Sequence, residues 1–113
     1  MNHLKVKKIV INIFKNFKLK EAHAKISAEY LIKAELLGAP SHGLSRLKMY
    51  CERINKKIIN PNPKIKIKKI SQSISHIDAN NSIGFVAADF GIKVAIKNAK
   101  KTGIGLVAIK NSG

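Results

Sequence analysis

The sequence is poor in cysteine, arginine, aromatic rings and acid, and each shortage closes off a class of function. Cys51 is alone among 113 residues, so neither a disulfide framework nor a cysteine-built metal cluster can form within the chain. That usage fits a reducing cytoplasm, and its place on the apolar face of a predicted helix makes Cys51 a buried thiol. Aromatic residues are 5% of the chain, too few for a base-stacking platform. Six acidic residues face 22 basic ones, for a formal net charge of +16, which on its own would suggest a polyanion partner. However, Arg46 and Arg53 are the only arginines, and arginine leads phosphate and base recognition. The lysines are spread along the whole chain, and lysine, isoleucine and asparagine are over-used together, as AT-rich codons would produce. Nucleic acid is therefore not the expected partner. A small basic, helical RNA- or DNA-associated protein is the alternative reading, and a decaying gene product that never folds is a third. No apolar run approaches the about 20 residues that cross a bilayer. The lysine-rich N-terminus has no small-residue cleavage site and does not read as a signal peptide.

What is present suits one small domain's worth of chain with a core, since 45% of residues are hydrophobic. Apolar Ile9, Ile13, Phe14 and Phe17 recur at helical spacing between Leu4 and Phe17. A second helix is predicted from Leu19 or Lys20 to Leu37, with Ala22, Ile26, Tyr30, Ala34 and Leu37 as its apolar stripe. His23 near its start reads as a surface residue. Gly38 is the expected stop.

The stretch Gly38-Ala39-Pro40-Ser41-His42-Gly43-Leu44-Ser45-Arg46-Leu47-Lys48-Met49-Tyr50 is the centre of the chain. Gly38 and Pro40 end one helix, and Ser41 is a good N-cap for the next. A helix from there to about Asn55–Lys57 would carry His42, Arg46 and Tyr50 along one side and Leu44, Leu47, Cys51 and Ile54 along another. An imidazole in that position can exchange a hydroxyl proton, and a guanidinium can take a carboxylate through two parallel hydrogen bonds. The trio suits a small hydroxy or keto acid. A solvated helix start is the bland reading of the same spacing.

Asn60-Pro61-Asn62-Pro63 breaks the pattern. A helical subdomain is predicted over residues 1–60, and the start of an α/β sheet domain over 61–113. Lys64-Ile65-Lys66-Ile67-Lys68 alternates as a half-exposed strand, and Ser73 to Asp78 reads as a second, with His76 on its surface. Asp78 to Ser82 reads as a turn, with Asn81 or Ser82 capping a helix from Ile83 to Lys101. Val86, Phe90, Val94 and Ala99 mark that helix's inner face, Gly84 and Gly91 permit close packing, and Gly103 ends it. The unbroken run Ile104-Gly105-Leu106-Val107-Ala108-Ile109 reads as a fully buried central strand. Such a strand needs neighbours on both edges, so the chain reads as the front part of a longer protein.

The sequence resembles the N-terminal part of the malate/L-lactate dehydrogenase family, which also includes sulfolactate, ureidoglycolate and diketogulonate-reducing enzymes. The likeness rests on Ala34-Glu35-Leu36-Leu37-Gly38 leading into Ser41-His42-Gly43, and then on Arg46-Leu47 with Tyr50. The helix from Gly84 to Ala99 with Gly103-Ile104 follows, and Val107-Ala108-Ile109-Lys110-Asn111-Ser112 completes it. The resemblance implies an α/β fold, α+β over this stretch, and a cytoplasmic, usually homodimeric oxidoreductase of small 2-hydroxy or 2-keto acids. It also implies NAD or NADP as cofactor, in a domain that is not the usual doubly wound nucleotide fold, which agrees with the absence of a Gly-x-Gly-x-x-Gly turn. By the same resemblance His42 is the proton donor and acceptor, and Ser41, Arg46 and Tyr50 are substrate-site residues. Asn111-Ser112 begins a motif that leads, in the family, to a second active-site histidine. The family's main cofactor contacts have no counterparts here, so no cofactor-binding residue is expected within these positions.

Overall fold

The computed structural model describes residues 2–38 and 43–113. They form two compact units, Met1–Asn62 and Pro63–Gly113. The architecture is mixed α/β, with helices in the first unit and a three-stranded sheet with one helix in the second. Among the described residues no helix is long and apolar enough to cross a membrane.

In the first unit α1 spans His3–Asn16 and α2 spans Glu21–Leu36. Asn2 caps α1, its side-chain oxygen accepting the N–H groups of Leu4 and Lys5 at 3.1 and 3.3 Å. Both helices stand within a residue or two of their expected ends, but the faces they bury match the expected ones only in part. α1 buries Val10 and Phe14, and Ile9 is 58% exposed. α2 buries Ala24, Ser27, Ala28, Leu31 and Ile32, whereas Leu37 of the expected stripe is 76% exposed and Ala22 is also exposed. The two helices pack on each other, and the small side chains of Ala24, Ser27 and Ala28 permit a close approach that larger residues would prevent. The Ser27 hydroxyl is satisfied within its own helix, donating to the His23 carbonyl at 2.8 Å.

The helix expected to run on from Ser41 is not continuous at Gly43. Gly43 has non-helical backbone angles (φ −101°, ψ −138°), a 3₁₀ turn occupies Leu44–Arg46, and the α-helix α3 runs from Leu47 to Asn55. α3 buries Cys51 and Ile54, and burial pushes the Cys51 thiol up from its ordinary titration range. After it, Ile58 and Ile59 donate their N–H groups to the Arg53 carbonyl, and Ile59 is fully buried.

The second unit orders its strands β1-β2-β3. β1 (Lys66–Lys69) pairs antiparallel with β2 (Ile74–Ser82), and β3 (Leu106–Ser112) pairs parallel with β2. Helix α4 (Gly84–Thr102) makes the crossover between the parallel strands. The stretch expected to turn at Asp78–Ser82 instead continues β2. Asn80 and Asn81 take positive φ values of 53° and 60°, and the register with β3 shifts between Asp78 and Ser82. Asparagine tolerates that conformation, so the strand bulges without ending. The helix cap expected at Asn81 or Ser82 is accordingly absent: Ile83 precedes α4 and makes no side-chain cap bond.

The full burial expected for β3 is not reached within these residues, where β3 pairs with β2 alone. The strand with neighbours on both sides is β2, with Ile77 and Ala79 buried, while Leu106 and Ile109 of β3 are 58% and 38% exposed. An apolar run reports what a strand can bury, but its neighbours decide what it does bury. α4 covers one face of the sheet, and Asn98 rather than Ala99 is its buried residue near the C-terminal end. A Cβ on Gly91 would lie 2.7 Å from Ile109 Cδ1, so the missing side chain sets how closely α4 sits on β3. Gly103 closes the helix as expected, in the left-handed conformation (φ 89°), its N–H donated to the Ala99 carbonyl.

Candidate functional site

The chemistry-bearing side chains of the first unit lie around the passage from α2 to α3. Ser41 and His42, the residues expected to supply the base and part of the substrate site, lie outside the described residues. Arg46 ends the 3₁₀ turn with near-helical angles (φ −88°, ψ −9°) and leads directly into α3. Arg46 and Tyr50 therefore stay on one side, four residues apart. The expected helical step from position 42 to position 46 has no helical backbone to run along at Gly43. The Arg46 side chain is exposed, with Nη1 3.9 Å from Met49 Sδ, and Tyr50 is half-buried.

Glu35 belongs to this site, and the spacing argument missed it. It lies next to the last residue of α2 and is half-buried. Its Oε1 accepts the Leu44 N–H at 3.0 Å, and its own backbone carbonyl accepts the Gly38 N–H at 3.2 Å. Gly43 is buried against it: a Cβ there would lie 2.7 Å from Glu35 Cγ and 2.8 Å from Oε1. Its signals in the sequence were its place in the Ala34–Gly38 stretch that carries the family likeness and its position three residues before a helix-ending glycine.

His23, expected at the surface, is half-buried in α2. Burial, and then the nearby Lys20 charge, hold its imidazole below the ordinary range. In the second unit His76 is exposed on β2, as expected. It lines a shallow concavity on the sheet with Lys66, Lys68, Asp78, Ala108 and Lys110. Asp78 accepts hydrogen bonds from the Asn80 N–H at 3.0 Å and from Asn111 Nδ2 at 3.1 Å, which hold its carboxyl below the usual range. Asn111 of the motif-like end of the sequence thus ties β3 to β2 through its side chain.

Among the described residues no three histidine, cysteine or acidic side chains are grouped to hold a metal ion. The junction from β2 to α4 does not fit a dinucleotide. Buried Ile83 alone connects the two elements, the Gly113 N–H is donated to the Ser82 carbonyl at 2.8 Å, and a Cβ on Gly84 would meet the Gly113 carbonyl oxygen at 2.7 Å. A phosphate cradle needs backbone N–H groups open to the ligand at that point.

The sequence model of malate/L-lactate dehydrogenases matches residues 1–113. L-sulfolactate dehydrogenase of Methanocaldococcus jannaschii is 39% identical over 106 residues, which are 94% of this chain and 31% of that protein. A malate dehydrogenase of Pyrococcus abyssi is 41% identical over 103 residues, 91% of this chain and 28% of the relative. The solved structure of malate dehydrogenase from Pyrococcus horikoshii OT3 superposes with a TM-score of 0.96 at 34% identity, covering 100% of this chain and 32% of that one. The chain spans about a third of the length of the relatives it matches.

Proposed function

The chain belongs to the malate/L-lactate dehydrogenase family, and from that premise we propose that it supplies the proton-transfer and carboxylate-binding side of an oxidoreductase acting on small 2-hydroxy or 2-keto acids. Oxidising such an acid removes a proton from the hydroxyl oxygen and a hydride from the carbon that bears it. His42 takes the proton in that direction and returns it to the carbonyl oxygen in the other. Arg46 holds the carboxylate through its planar guanidinium, with Ser41 and Tyr50 as further hydrogen-bonding groups. What supports this reading is the superposition of the chain on about a third of the length of dehydrogenase structures, together with an exposed arginine that leads into α3 three residues after Gly43.

NAD or NADP is the hydride carrier proposed for the whole enzyme, in a cytoplasmic homodimer. Its contacts are assigned, as the family resemblance implies, to the part of the relatives' length that this chain does not span. The chain by itself should neither turn over nor bind NADH or NADPH, and micromolar binding of either by calorimetry would refute that. In an enzyme that carries this chain with the remaining family segments, His42→Ala should lose most of kcat while cofactor affinity is largely kept. Near-normal kcat would remove His42 from the mechanism.

A further inference from the structure

We propose that α2 carries the docking surface for a second copy of this chain and meets the same helix of that copy antiparallel. The proposal rests on the homodimer reading above, for which it names the surface.

α2 has apolar residues on two sides, and only one side is buried. The buried side holds Ala24, Ser27, Ala28, Leu31 and Ile32. On the other, Ala22, Ile26, Glu29, Lys33 and Leu36 follow at alternating steps of four and three residues. That spacing draws a straight seam along a helix. Ala22, Glu29 and Lys33 are exposed and Ile26 is half-buried. Leu36 is 56% exposed, and Leu37 beside it is 76% exposed. Among the described residues the side chains of Glu29 and Lys33 form no ion pair.

The two charges decide what the seam can meet. Against a parallel copy each seam residue faces itself, so Glu29 meets Glu29 and Lys33 meets Lys33, and both contacts repel. Against an antiparallel copy with the two-fold axis level with position 31, Glu29 faces the second copy's Lys33. Ile26 then faces the second copy's Leu36, and symmetry repeats both contacts. The seam becomes two ionic layers closed at each end by an apolar one. An axis level with position 29 would set the Glu29 carboxylate against its own copy, so the charges select the register as well as the direction. A seam whose charges complement themselves fits a second copy of the same helix.

The chain's net charge of +16 opposes that association. At about 0.15 M salt the screening length is about 8 Å, so repulsion between more distant charges is damped while charges in contact still pair. One pair of 16-residue helices is a small interface. It falls short of the about 1,200 Å² of stable complexes, so micromolar rather than nanomolar association is expected.

The test is analytical ultracentrifugation of the 113-residue chain at about 0.15 M salt, from on the order of 10 μM to 1 mM. The parent should pass from monomer to dimer within that range. Glu29→Lys and Lys33→Glu should each weaken dimerisation about tenfold or more, since each sets like charges together across the seam. The double variant Glu29→Lys, Lys33→Glu restores opposite charges and should return to within about threefold of the parent. Leu36→Ser should weaken the dimer too. These side chains are exposed in the single chain, so helix content by circular dichroism should change little.

A parent that stays monomeric, a dimer indifferent to the single reversals, or a double reversal that recovers nothing would each overturn the proposal. Should a variant unfold, dilution of the isotope-labelled parent decides by nuclear magnetic resonance. The amides of Ile26, Glu29, Lys33 and Leu36 should shift with concentration. Shifts confined to β3, which pairs with β2 alone, would overturn it. A dimer that ignores the reversals keeps the homodimer reading and discards this surface, whereas a monomeric parent discards both for this chain.

Discussion

Asn98 on α4 donates a hydrogen bond from Nδ2 to the hydroxyl of Ser75 on β2 at 3.1 Å, and both side chains are buried. It is a polar contact between α4 and a sheet whose buried residues Ile77 and Ala79, like Val86 and Ala87 of the helix, are apolar. Losing one partner of such a bond strands the other in a dry place, which costs about 1–3 kcal/mol. Asn98→Ala should therefore lower stability by about that much. The double variant Asn98→Ala, Ser75→Ala should be less destabilised than the two single losses summed, because the second change removes the stranded group. Urea unfolding of the four proteins measures the coupling, and strict additivity would show that the bond contributes nothing in solution.

Gly103 and Gly105 lie two residues apart and should respond differently to alanine. At Gly103 nothing lies within 4 Å of an added Cβ, but φ is 89°. The penalty there is conformational, about 1–2 kcal/mol. At Gly105 a Cβ would collide with the Ala95 carbonyl oxygen, a backbone atom of α4 that cannot swing aside. Gly105→Ala must push α4 away from the start of β3, so it should be the more destabilising of the two, at about 3 kcal/mol or more. Gly103→Asn should recover most of the Gly103→Ala loss. Thermal melts rank the three, and a Gly105→Ala protein as stable as the parent would contradict the close approach.

Acid should weaken the fold in part through His23. Its imidazole is held below the ordinary 6.5 by burial and by Lys20, so the folded chain prefers the neutral ring more than the unfolded chain does. For a group with a depressed folded pKa the stabilising contribution is present in full above the unfolded value. It declines as pH falls below about 6.5, until the folded group is itself protonated. His23→Gln should remove this component and leave the protein's stability less dependent on pH in that range. Urea midpoints of parent and variant at about pH 7.5 and about pH 5 check it. Equal pH dependence in the two would mean that the ring is solvated in the fold.

The sequence was most readable where a local rule acts alone. Gly38 and Gly103 were expected to stop helices, and both stand there with positive φ, because a residue without Cβ is the cheapest way to leave a helix. The order of Ala34-Glu35-Leu36-Leu37-Gly38, Ser41-His42-Gly43 and Arg46-Leu47 was enough to point to the family. The sequence misled where two segments had to meet. Hydropathy put Ile26 and Leu37 on the inner face of α2, yet the face it buries holds Ala24, Ser27, Ala28, Leu31 and Ile32. Asp78–Ser82 has turn composition, but pairing with β3 carries it on as a bulged strand.

By itself, then, the sequence determined the helix stops, the α/β class and the lineage, since each depends on residues near one another in the chain or on their order along it. Tertiary structure alone decided that β2 pairs with both β1 and β3, which face α2 buries, and that Glu35 reaches Leu44. Those outcomes depend on which distant segment arrives as neighbour, and no window of residues contains that information.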